Sequence, residues 1–101
     1  MIPEFRSFRD FYPAYLAEHS QPTTRRLHFA GTLLVLVILG TALWTRDWRW
    51  LLAAPVAGYG LAWLGHLVFE RNRPATFRHP LYSLAGDFVM FKDMLLGRLR
   101  W

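Results

Sequence analysis

Two long apolar stretches dominate the chain, Leu27 to Thr45 and Trp50 to Phe69, separated by the polar break Arg46-Asp47-Trp48-Arg49. Neither contains an Asp, Glu, Lys or Arg. Each approaches the roughly 20 residues that carry a helix across a hydrocarbon core. Runs this long and unalternating read as apolar helices. The chain is therefore expected to fold back at Asp47 as a hairpin. His28 opens the first stretch and His66 closes the second, equally far from Asp47 in sequence, so the fold-back brings the two imidazoles to one depth.

The flanks follow a different pattern. Phe5, Phe8, Tyr12, Tyr15 and Leu16 recur at helical spacing and predict an amphipathic helix over Glu4 to His19. It would lie in the headgroup zone or pack on the hairpin, with Pro13 marking a kink or a fresh helix start. Glu18 to Arg26 reads as a polar turn in which Pro22 breaks the first helix and Thr23 or Thr24 caps the next. Trp44, Trp48 and Trp50 crowd the hairpin turn as an aromatic belt would. Gly58 and its small neighbours permit close helix approach, and Pro55 is expected to bend the second span. Beyond Phe69 a polar connector, Glu70 to Pro80, leads to a last helix over Leu81 to Leu99. Leu81, Leu84, Phe88, Phe91, Leu95 and Leu99 form its apolar stripe. Asp87, Lys92 and Asp93 make a third full span expensive, so this helix is expected to be half-buried or interfacial.

The fold class that follows is an all-α membrane protein. A two-span hairpin (27–45 and 50–69) is flanked by an amphipathic helix (4–19) and a C-terminal helix (81–99), forming a small bundle and a single domain over 1–101. The net charge of +5 does not mark a nucleic-acid binder, because the arginines cluster beside the apolar runs. Lys and Arg number four before the first span, two in the turn and six after the second, which places both termini in the cytoplasm. Met1 to Ser20 has no apolar h-region, so no cleaved signal peptide is expected. The absence of cysteine removes disulfides, thiolate metal sites and thiol nucleophiles.

Candidate chemistry lies at the outer ends of the hairpin. All four histidines, His19, His28, His66 and His79, fall on that side. Imidazole is the commonest metal ligand, and ionisable groups beside an apolar region are usually functional. Glu70, four residues after His66, would complete a two-histidine, one-carboxylate site of the non-haem iron type. Asp87, in apolar surroundings, is a second catalytic carboxylate or a group orienting an imidazole. Arg25, Arg26, Arg71, Arg73 and Arg78 line the same face, where a guanidinium suits a substrate carboxylate. The residues alone leave three readings open: a metal enzyme, a bis-histidine haem protein, and a non-enzymatic hairpin scaffold. No phosphate-binding loop, GxSxG, HExxH or GxGxxG is present.

Two segments carry a family resemblance: Glu18 to Thr32 (EHSQPTTRRLHFAGT) and Gly65 to Met90 (GHLVFERNRPATFRHPLYSLAGDFVM). They resemble the 2-hydroxy fatty acid dioxygenases, small membrane proteins whose yeast member acts in the endoplasmic reticulum. The resemblance implies iron(II) held by His19, His28 and His66, with His79 ranked fourth. Arg25, Asn72 and Arg73 become the substrate-binding candidates. It implies oxidative decarboxylation of a long-chain 2-hydroxy fatty acid to the acid one carbon shorter, using O2 and no 2-oxoglutarate. The implied setting is an integral protein of the bacterial inner membrane, with homo-oligomerisation left open. Many members read His-x-Asn-Pro-x-Asn-Arg in the first segment; here Gln21 and Thr24 replace the asparagines.

Overall fold

The computed structural model describes residues 5–101 and is all-helical over them. Helix α1 spans Phe8–Ala17 and α2 spans Pro22–Thr45. The second long helix, α3, runs Trp48–Glu70, opening with a 3-10 turn (Trp48–Leu52) and closing with a π-helical turn (Gly65–Glu70). A short 3-10 turn, Ala75–Phe77, precedes α4 at Pro80–Leu95.

Pro22 starts a helix instead of only breaking one. It occupies the first turn of α2, where its missing N–H is no loss, and Gln21 rather than a threonine is the N-cap. The first long helix therefore begins five residues before the apolar run, with His28 inside it. The backbone N–H of Gln21 donates to the Glu70 carboxylate at 2.6 Å, a service that a third-position Glu of the same helix usually gives. Each long helix ends on an arginine in the left-handed region, Arg46 (φ 54°) and Arg71 (φ 57°). At Asp47 the chain turns back, as expected, with the carboxylate capping the next turn through the Arg49 N–H.

α2 and α3 pack along their length as the predicted hairpin. Gly31 lets them approach: a Cβ there would lie 3.2 Å from the Gly58 carbonyl oxygen. Both helices are long and apolar enough to cross a membrane, yet only 22% and 17% of their most apolar windows are buried. Leu33, Leu34, Val37, Leu43, Val56 and Leu67 all face outward. An apolar belt of this kind is not the core of the fold.

The core lies between the flanking helices. Phe11 and Tyr15 of α1 pack with Ala75, Met90 and Met94, so the aromatic face of α1 is buried against α4. Glu4, the predicted start of this helix, lies outside the described residues. Two tyrosine–aspartate bonds fasten the pair: Tyr12 donates to Asp93 at 2.8 Å and Tyr15 donates to Asp87. α4 is half-buried, as expected, and its apolar stripe is split: Phe91 stacks on Phe29 and Leu99 packs on the core. Ser83, Gly86, Met90 and Met94 face inward, while Leu81, Leu84, Phe88 and Leu95 are exposed. The inward face is set by fit, since a Cβ at Gly86 would meet the Tyr15 ring at 3.0 Å.

Candidate metal centre

His19 follows α1, His28 lies nearly two turns into α2, and His66 sits in the closing π-helical turn of α3. All three are buried, at 1%, 4% and 1% exposure. One ring nitrogen from each falls within 4.8 Å of the others. The His28 and His66 ring centroids are 5.1 Å apart, as equal spacing from Asp47 predicts, and His19 closes the group at 4.3 and 4.4 Å. Close backbone packing allows this convergence. A Cβ at Gly65, next to His66, would lie 2.9 Å from the Thr24 methyl and 3.3 Å from its Cα.

The hydrogen bonds decide which nitrogens meet. His19 Nδ1 bonds the Tyr15 carbonyl at 2.6 Å, His28 Nδ1 the Thr24 carbonyl at 3.1 Å, and His66 Nδ1 the Asn72 side-chain oxygen at 2.6 Å. Asn72 is itself oriented, because its amide nitrogen donates to the Glu18 carbonyl at 3.0 Å. With acceptors at every Nδ1, a neutral ring carries its proton there and presents an Nε2 lone pair. His19 Nε2 and His28 Nε2 lie 3.0 Å apart, and neither has a proton to share. Burial, then the neighbouring His28, hold His19 down to about 2, so it stays neutral at ordinary pH. Lone pairs turned on one another in a dry site are unfavourable until a cation lies between them. Neutral imidazoles with oriented Nδ1–H groups make a fitting set for a first-row divalent metal such as Fe(II).

Around this triad the other candidates divide. Asp87 stands beside it, Oδ1 3.9 Å from His28 Nε2, and accepts the Tyr15 hydroxyl. Burial raises the Asp87 carboxyl to about 6, against the lowering effect of Tyr15. Arg25 is near enough to His19 to disfavour its protonation, and its Nε is buried without a partner. Asn72 holds the histidine and also borders a hollow on the α1 side, beside Glu18 and Arg73. Glu70 lies outside the triad; its carboxylate accepts from Ser20 Oγ and the Gln21 N–H and so braces the turn carrying His19. His79 also lies apart, packed edge-on against Phe5 and Phe11. With Arg73 and Arg78 it lines the same hollow on the α1 side. Tyr15 was not among the candidates, yet its ring stacks on His19 at 4.1 Å and its hydroxyl holds Asp87. The signal was its place four residues before His19, one helical turn away.

A second cavity, of about 270 Å³, leads from His28 and Asp87 between α2 and α3 towards Leu39 and Leu51. The fold and site thus define a small all-helical protein in which three buried histidines that could hold a metal ion adjoin an apolar cavity. The chain belongs to the 2-hydroxy-palmitic acid dioxygenase Mpo1-like family, whose sequence model matches residues 5–99. The family is thus one of dioxygenases, which are oxidoreductases. Neither a curated protein nor a solved structure gives a significant match to the chain.

Proposed function

We propose that the protein is an Fe(II) dioxygenase of the membrane that converts a long-chain 2-hydroxy fatty acid to the fatty acid one carbon shorter. The observation carrying this reading is the trio of buried histidines whose ligand nitrogens lie within 4.8 Å of one another, each Nδ1 being bonded to the Tyr15 carbonyl, the Thr24 carbonyl or Asn72. Oxidation of R–CHOH–COOH by O2 to R–COOH, CO2 and water balances in atoms and electrons. No 2-oxoglutarate is needed as co-reductant. Iron held by His19, His28 and His66 would supply the binding and activation of O2 that spin-paired organic substrates lack.

The chain's own residues do the rest. Arg25, beside His19, neutralises the substrate carboxylate, and Arg73 contributes positive charge from the α1 side. Asp87, at the head of the cavity, is placed to accept the proton of the 2-hydroxyl. Asn72 holds the His66 ring, and Glu70 clamps the turn bearing His19. The apolar cavity takes the tail and excludes water. The triad imidazoles, with centroids 4.3, 4.4 and 5.1 Å apart, stand too close for a porphyrin between any two of them, which disfavours a haem there. The hairpin crosses the bacterial inner membrane, with both termini cytoplasmic as the arginine distribution favours.

Purified protein is expected to retain iron, and the His28→Ala, His66→Ala double variant to lose it. Equal and negligible iron in both would refute the metal assignment. Iron-loaded protein given a 2-hydroxy fatty acid should yield the acid one carbon shorter by mass spectrometry; unchanged substrate would refute the reaction.

A further inference from the structure

We infer that the cavity between α2 and α3 is a chain-length ruler, with a bore set by Ala62, Gly58 and Ala54 and a floor set by Leu39 and Leu51. This rests on the reading that the substrate is a 2-hydroxy fatty acid. Ala54, Gly58 and Ala62 recur every four residues and form one stripe along α3. Such stripes ordinarily let two helices close on each other. Here a Cβ on Gly58 would touch the Val35 methyl at 3.0 Å. All three small residues still border open space.

The cavity has a direction. His28, Thr32 and Asp87 line its histidine end, and Leu39 and Leu51 line the other. His28 is 4% exposed, and its Nε2 lies 3.0 Å from His19 Nε2 and 3.9 Å from Asp87 Oδ1 at the centre from which the cavity leads. A ligand entering here meets a polar head site first and a narrow apolar bore after it. Along α2, His28 to Leu39 is eleven residues, or about 16 Å. At about 1.3 Å per extended methylene, that length takes roughly a dozen carbons beyond the head. A cavity of about 270 Å³, with alanine and glycine on its α3 side and Val35, Leu84 and Phe88 opposite, suits one extended chain and is too small for a helix of another protein.

The test uses the full chain in detergent, as wild type, Ala54→Leu and Leu51→Ala. Unhydroxylated saturated fatty acids from decanoate to arachidate compete with a fluorescent fatty acid, giving affinity against chain length. The matching 2-hydroxy acids are then assayed for turnover. Wild type should show an optimum within the series. Ala54→Leu should move it shorter by roughly two to four carbons and weaken the longest chains roughly tenfold. Leu51→Ala should move it longer. Superimposable profiles for all three proteins, or affinity rising with chain length without an optimum, would overturn the ruler. If wild type binds with an optimum but turns over no 2-hydroxy acid, the proposed reaction fails while the ruler stands. Should Ala54→Leu lose its helical circular dichroism, Leu51→Ala decides alone, since Leu51 is 46% exposed in the first turn of α3.

Discussion

Each imidazole of the triad is aimed by a different partner, and only one of those partners is a side chain. The Tyr15 and Thr24 carbonyls survive any substitution at their positions, whereas Asn72 is removable. Asn72→Ala should leave the fold in place, free the His66 ring and weaken metal binding roughly 10–100-fold. Competition with a calibrated chelator measures this, and unchanged affinity would show that Asn72 does not orient the ligand. Asp87 yields a pH-dependent expectation. Its carboxyl titrates near 6 when folded and near 3.8 when unfolded. Its favourable contribution to stability is thus fully present below 3.8 and lost as pH rises through 6. Asn cannot ionise but still accepts from Tyr15. The stability advantage of Asp87→Asn over wild type should therefore widen between about pH 5 and pH 8, towards at most ~3 kcal/mol. Denaturant unfolding of metal-free protein at the two values checks it, and a constant gap would show the carboxylate is not desolvated. The histidine pair was legible because hairpin geometry is arithmetic: equal spacing from Asp47 gives equal depth. The tasks of Asn72 and Glu70 were not. Asn72 reaches His66 across a left-handed turn, and Glu70 meets Ser20 and Gln21 from the far end of the chain.

At the scale of helices, periodicity located α4 and its half-buried state but did not show which stripe residues face inward. The rule that leucine faces inward assumes water outside. In α4 the interior is chosen by shape and hydrogen bonding, with Gly86 under the Tyr15 ring and Asp87 and Asp93 on the α1 tyrosines. The leucines are left for an apolar exterior. Substitutions separate the two rules. Met90→Ala, at 1% exposure, should cost about 2–4 kcal/mol, whereas Leu81→Ala, at 80% exposure, should stay within about 0.5 kcal/mol. Unfolding in mixed detergent measures both, and the reverse order would restore the leucine stripe as the packing face. The start of α2 escaped the hydropathy pattern because Pro22 to Arg26 is polar. Those residues are helical since Pro22 initiates the turn and Glu70, from α3, holds its N-cap.

For the whole molecule, the outward apolar belt and the charges at its two ends support the proposed topology. A soluble bundle of this size would bury its most apolar helices, whereas here about four-fifths of each apolar window lies outside. Burying that belt in hydrocarbon removes water from it at roughly 25 cal/mol per Å². The same transfer leaves the hairpin turn with two arginines on one side and the terminal segments with ten Lys and Arg on the other, an asymmetry that favours cytoplasmic termini. The chain has no cysteine, so single introduced thiols report topology without background. Arg6→Cys, Arg49→Cys and Arg98→Cys all replace exposed residues. In intact bacterial cells a membrane-impermeant maleimide should label Arg49→Cys alone, and in inverted inner-membrane vesicles it should label Arg6→Cys and Arg98→Cys alone. The reversed pattern would leave the hairpin in place but move the triad to the outer side. Labelling of all three from one side would mean that the hairpin lies on the membrane without crossing it. The tail cavity would then open to the interface along its length, and its depth would no longer set chain length.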